Sequence, residues 1–305
     1  VKRTREQKEM LRSMQLSFGV GAFLFGVKAF AAYLTDSVAI FSDAAESLVH
    51  LFVVGFSLYS LWLSLKPADR NHPYGHEKIS FFSAGFEGAL IMFASFYIFY
   101  EAFERISFGR EASNIGIGSV LLLFAVATNF ILGFYLIGQG KKHHSLILEA
   151  NGKHILTDCW TSVGALIALT LVDLTGISFF DPLIAALIAL GILITGIQLV
   201  RKSIGGLMDQ RDNALHDEVG RALRKITSAQ DLDFHHLRER EMGQKILIEF
   251  HLLFPTDLPL FKAHEMASKV ESELKKSLSR PSEVLTHLEP IHDHDKTHKK
   301  YGLPL

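Results

Sequence analysis

Residues 112–140, ASNIGIGSVLLLFAVATNFILGFYLIGQG, contain no Asp, Glu, Lys or Arg. About 20 consecutive apolar residues suffice to cross the hydrocarbon core of a bilayer, so this stretch predicts a membrane-spanning helix over about 113–139. Outward from it, apolar runs recur at about 13–34, 37–65, 79–104, 145–174 and 178–200. The second and fifth of these six runs carry ionisable residues, which lowers their hydropathy and makes them the informative ones. The charge distribution agrees: residues 1–208 hold 31 of the 63 Asp, Glu, Lys and Arg, and the much shorter 209–305 holds 32. A chain of this kind is neither a single soluble domain, nor a disulfide scaffold, nor disordered. The single Cys159 has no intrachain partner, and a net charge of −1 gives no general pull toward nucleic acid.

Basic residues set an expected orientation, because Lys and Arg favour the cytoplasmic side of short loops. One side collects Lys2, Arg3, Arg5, Lys8 and Arg12, then Lys66, Arg70 and Lys78, then Lys141 and Lys142, then Arg201 and Lys202. The other has only Arg105 and Arg110. Both termini are therefore expected in the cytoplasm, with no cleavable signal, since the first apolar run is long enough to span. A multi-pass protein of a bacterial inner membrane is the expected setting.

After Met208 the pattern becomes that of a small soluble domain. Residues 213–226 read as a helix with Leu215, Val219, Leu223 and Ile226 on one face, and 232–240 and 245–254 as strands. Residues 259–279 read as a second helix and 282–289 as a last strand, giving the order αββαβ. The division is thus 1–208 for the membrane part, 209–291 for the soluble domain and 292–305 for a flexible tail. Its HDHDKTH segment carries His292, His294 and His298, a cluster of the kind that binds metal adventitiously.

An ionisable side chain at the bilayer centre costs about 2.5–3.5 kcal/mol on insertion scales, so such groups face a partner or a wet cavity. The second span has Glu46 and His50 four apart, and the fifth has His154 and Asp158 at the same spacing, which stacks each pair on one helix face. If the two faces meet, two imidazoles and two carboxylates make a set suited to Zn²⁺ and open to other divalent first-row metals. The bland alternative is a polar contact within or between helices. Asp43 lies on nearly the same face as Glu46 and is a candidate for the metal path or a proton. Cys159 points about 100° away from Asp158 and reads as packing. His143 and His144, beside Lys141 and Lys142, read as a solvated or lipid-facing basic loop.

At these residues the chain resembles the cation diffusion facilitator family of metal-ion/proton antiporters. The resemblance rests on DSVAIFSDAAESLVH at 36–50, KPADRNHPYGHEK at 66–78 and HILTD at 154–158, and it covers nearly the whole chain. It implies six transmembrane helices, a cytoplasmic ferredoxin-like metal-binding domain and a homodimer, with no enzymatic activity. It also implies a transport site of Glu46, His50, His154 and Asp158. In the commonest zinc pattern the second helix supplies two aspartates; Glu46 and His50 stand in their place here. His154 favours Zn²⁺, and the added imidazole accommodates Fe²⁺ or Co²⁺, with Mn²⁺ and Cd²⁺ as further cargo. The implied mechanism is alternating access, in which protons entering from the far side displace a cation whose binding released protons.

In the loop, Asp69, His72 and His76 are candidate ligands for a second metal, the bland alternative being a turn set by Pro73 and Gly75. In the soluble domain the resemblance implies a cytoplasmic site of His235, His251, His287 and Glu289, with His264 as a bridging ligand and His236 as an alternative one. Taken singly, each of these reads as an ordinary solvated residue. Two rival functions remain at this stage: a membrane metalloenzyme built on the same cluster, and a channel or metal sensor without coupled transport.

Overall fold

The computed structural model describes residues 4–35, 38–108, 118–177 and 179–291. Within helices, some side chains also lie outside the described residues, those of 31–46 and 49 among them. Contacts divide the chain into two compact units, 1–207 and 208–305.

Among the described residues the first unit has six long helices: α1 (Arg5–Thr35), α2 (Val38–Ser64), α3 (Ile79–Phe108), α4 (Gly118–Lys142), α5 (Leu146–Thr175) and α6 (Phe180–Leu207). The described residues of each of the six apolar runs fall on one of them, apart from single residues such as Leu65 and Phe179 at the edges. Among the described residues, stretches of α1, α3 and α6 (5–30, 79–104 and 182–207) are long and apolar enough to cross a membrane. α1 starts eight residues before its apolar run, and its added turns are amphipathic: Arg5 Nε donates to Glu9 Oε1 at 3.0 Å, an i,i+4 pair. α6 likewise continues through Arg201 and Lys202 to Leu207.

The helices bury two apolar clusters. Met10, Leu11 and Met14 of α1 pack with Leu61 of α2, Leu132 and Leu136 of α4, and Ile147, Leu148 and Ile155 of α5. Phe81, Ala84 and Ile91 of α3 pack with Ala150 of α5 and Ile192 and Leu199 of α6. Large apolar side chains also cover the outside, with Phe23, Phe52, Phe93, Ile131 and Leu187 all exposed. An apolar exterior of that extent is stable against lipid rather than water.

Two crossings are close because both partners are glycine. A Cβ on Gly152 would sit 2.8 Å from the Gly133 carbonyl of α4. A Cβ on Gly196 would sit 2.9 Å from the Gly88 carbonyl of α3. Small residues permit this approach where no hydrophobic effect drives helices together. His143, expected in a solvated loop, instead has a 5% exposed side chain 3.4 Å from Glu9, which Lys142 also meets at 3.2 Å. Cys159 is buried, its Sγ 3.7 Å from the Val126 carbonyl, as packing requires.

The second unit runs α7 (Asn213–Ser228), β1 (Asp233–Glu241), β2 (Ile246–Phe254), α8 (Leu260–Ser277) and β3 (Ser282–Pro290), the αββαβ order read from the sequence. α7 is capped by Asp212, whose carboxylate accepts from the amides of Ala214 and Leu215. The sheet order is β1-β2-β3, with β2 antiparallel to β1 and parallel to β3. Ile246, Ile248, Phe250, Leu252 and Phe254 of β2 form one core with Val219 and Leu223 of α7 and Val270 and Leu274 of α8. Alternation along a strand then sends His251 to the face away from the helices.

Candidate functional site

In the helical unit, His50 of α2 and His154 and Asp158 of α5 converge, their ligand atoms all within 4.8 Å of one another. The four-residue spacing on α5 aligns His154 and Asp158 along one face. The His50 and His154 rings stack, centroids 4.9 Å apart and planes at 21°. His50 Nε2 lies 3.7 Å from Asp158 Oδ2, too far for a hydrogen bond. Ligand atoms around a tetrahedral Zn²⁺ lie about 3.4 Å apart, so this trio is already near that spacing. His154 Nδ1 and His50 Nε2 are buried without a hydrogen-bond partner among the described residues, an arrangement that costs free energy unless something binds them. The Asp158 side chain is 48% exposed, so the trio is not sealed within the helices. Glu46 stands on α2 four residues before His50, but its side chain, like that of Asp43, lies outside the described residues.

The sequence reading missed Lys28. Its Nζ donates to Ser47 Oγ of α2 at 3.0 Å, three residues before His50. A search for paired ionisable residues overlooks it; the rule that any ionisable residue in an apolar run needs a partner would have found it. Glu87 of α3 is a second such omission.

The loop residues also converge. Asp69 Oδ1 accepts from the amides of His72 at 2.8 Å and Asn71 at 2.9 Å, and its Oδ2 lies 3.3 Å from His76 Nε2. The His72 and His76 rings are 4.4 Å apart. Gly75, at φ +91°, supplies the left-handed turn that returns His76 toward Asp69. The His72 amide, with that of Asn71, holds the Asp69 carboxyl below the usual carboxylate range, so it stays an anion.

In the soluble unit the register places His235, His251 and His287 side by side across the three strands. Glu289, two residues after His287 on the same face, is buried, hydrogen-bonded to His235 and close to the other two. His235 Nε2 is 2.9 Å from its Oε2, and His251 Nδ1 is 3.1 Å and His287 Nε2 3.4 Å from its Oε1. The ligand atoms of His235, His251 and Glu289 all fall within 4.8 Å, so this donor set fits a divalent metal. Burial pushes the His251 imidazole below the usual histidine range, against the pull of Glu289. His236 joins the row through a bulge: the register slips between His235 and Arg238, and His236 takes φ +56°. That left-handed residue keeps its ring 5.5 Å from His235 and 5.1 Å from His251, where plain alternation would send it to the opposite face. His264 is exposed on α8 and belongs to none of the metal-ligand groups among the described residues.

Residues 14–208 match the family described as cation efflux transmembrane domain, and 212–291 the cation efflux protein, cytoplasmic domain. The chain belongs to the cation efflux family, whose members are transporters and not enzymes. Among its relatives, an uncharacterised transporter of Synechocystis is 36% identical over 284 residues, 91% of this chain and 89% of the relative. A cadmium, cobalt and zinc/H⁺-K⁺ antiporter of Bacillus subtilis is 25% identical over 250 residues, 82% and 80% of the two chains. A manganese efflux system protein of the same organism is 27% identical over 293 residues, 93% and 98%.

Proposed function

We propose that this transporter is a divalent-metal/proton antiporter that exports Zn²⁺ from the cytoplasm by alternating access. The observation that carries the reading is the convergence of His50, His154 and Asp158 between two membrane helices. Two imidazoles and a carboxylate, with Glu46 completing the set, favour Zn²⁺ over the harder Mn²⁺. The relative named a cadmium, cobalt and zinc antiporter supports the same cargo class and proton coupling. Manganese is the second metal to weigh, because the relative named for its efflux matches 93% of this chain.

Metal binding needs neutral imidazoles and ionised carboxylates, so loading the site releases protons, and protons arriving from the far side expel the metal. In this reading all six helices span an inner membrane with both termini in the cytoplasm. The domains divide at 208 and 291. Asp69, His72 and His76 hold a second metal, and His235, His251, His287 and Glu289, with His264, bind cytoplasmic metal and draw two subunits into a homodimer. Metal flux into proteoliposomes tests the transport reading. With Zn²⁺, wild type responds to an imposed pH gradient and Asp158→Ala loses flux; indifference of both to gradient and mutation returns the trio to a structural contact. The same assay with Mn²⁺ ranks the cargo.

A further inference from the structure

Glu87 of α3 has no exposed surface. One carboxylate oxygen accepts from Ser57 Oγ of α2, and the other has no hydrogen-bond partner among the described residues. Among the described residues it forms no ion pair with a cation. On α5 and α6, the helices packed against α3 from other sides, Glu149 pairs with Lys153 at 2.9 Å and with Lys202 at 3.5 Å. The residues that α6 presents around Gly88 are Gly196, Leu199 and Val200, none of them titratable. On α2 the titratable group toward the site is His50, seven residues and about 10 Å along the axis from Ser57. A carboxylate buried without a counter-charge is expensive, and a carboxylic acid is not.

The surroundings of Glu87 are hydroxyl-lined. Ser57, Ser60 and Ser64 of α2 and Ser80 and Ser83 of α3 are all buried, and the Ser60 and Ser83 hydroxyls have no hydrogen-bond partner among the described residues. Counting along the two helices from the Ser57–Glu87 bond puts Ser60 near the level of Ser83 and Ser64 near that of Ser80, toward the loop that carries Asp69, His72 and His76. The Ser64 and Ser80 hydroxyls donate to the carbonyls of Leu61 and Glu77 and keep their lone pairs as acceptors. Seven residues make nearly two whole turns, so Ser57 also continues the face of α2 that bears His50.

We infer that Glu87 is a proton-carrying site between the transport site and the α2–α3 loop, discharging the protons that incoming metal displaces from its ligands. The inference rests on the antiport reading above. Glu87 rests as the neutral acid; as metal binds, its O–H bond breaks and the proton passes along the hydroxyls to water at the loop, while the proton leaving a metal ligand re-forms the O–H bond and restores the acid. Serine hydroxyls, which both donate and accept, line the way.

The test uses the full chain in proteoliposomes, comparing Zn²⁺ exchange at symmetrical pH with flux and proton counterflow under a pH gradient. Glu87→Gln mimics a permanently protonated acid. It keeps exchange, while gradient stimulation and protons moved per Zn²⁺ fall about tenfold or more, the scale of losing a positioned proton carrier. Glu87→Asp restores part of the response. Ser57→Ala moves the pH of half-maximal stimulation by about one unit. A wild-type gradient response in Glu87→Gln overturns the inference and leaves the antiport reading standing. So does equal loss of exchange and gradient response in both Glu87 variants, which marks a packing role. If Glu87→Gln does not reach the membrane, unchanged pH profiles in both Glu87→Asp and Ser57→Ala overturn it. A wild type indifferent to the gradient overturns the antiport reading, and this inference with it.

Discussion

On the antiport reading, the Lys28 charge opposes the cargo. Its ammonium reaches Ser47, three residues before His50 on α2, at 3.0 Å, and a positive charge there is expected to weaken divalent-cation binding at the trio. We expect Lys28→Gln to tighten Zn²⁺ binding by about tenfold, or about 1.4 kcal/mol, and to slow release, measured by equilibrium binding and flux on the same preparation. At the cytoplasmic row, His251 sets a pH dependence. Its folded imidazole is held below the ordinary range by burial, so as pH falls the unfolded chain takes up the proton first. The stabilising contribution is fully present above about pH 6.5, the ordinary histidine value, and is lost on acidification through it. Thermal melts of chelator-treated protein should therefore show the Tm of the soluble unit dropping as pH falls below about 6.5. The drop should be shallower in His251→Gln.

Among the elements, the α4–α5 crossing positions His154 and Asp158. Gly152 precedes His154 by two residues, and a Cβ there meets the Gly133 carbonyl at 2.8 Å and the Ile137 amide nitrogen at 2.9 Å. These are backbone atoms that no rotamer change can move. Gly152→Val is expected to cost about 1–3 kcal/mol, as overpacking does, and to reduce flux by swinging His154 and Asp158 away from His50. Gly138→Ala on α4, where nothing lies within 4 Å, is the control, expected to keep both Tm and flux. The β1 bulge is the corresponding device in the sheet, since it holds His235 and His236 beside His251.

At the scale of the whole molecule, metal bound as proposed at the histidine row would be a ligand of the folded soluble unit. Zn²⁺ at 100 times its Kd is expected to stabilise that unit by about 2.7 kcal/mol, read as a rise in Tm that a chelator reverses. Glu289→Ala removes the carboxylate shared by three histidines, and the Zn²⁺-dependent rise should then disappear; an undiminished rise would place the metal elsewhere.

The apolar runs, the αββαβ order and the His–Asp spacing on α5 were legible in the sequence, because helix and strand periodicity and the cost of charge in lipid are local properties. His143 beside Glu9 was not, since a basic loop looks solvated until another helix end packs against it. Nor was Lys28 or Glu87, each a lone ionisable residue whose partner comes from a different helix. The meeting of His50 with His154 and Asp158 depends on which faces of α2 and α5 turn toward each other, and the histidine row depends on strand register, with His236 held in it by a bulge. Those are decided by packing between segments far apart in the chain, and for that reason only the tertiary structure contains them.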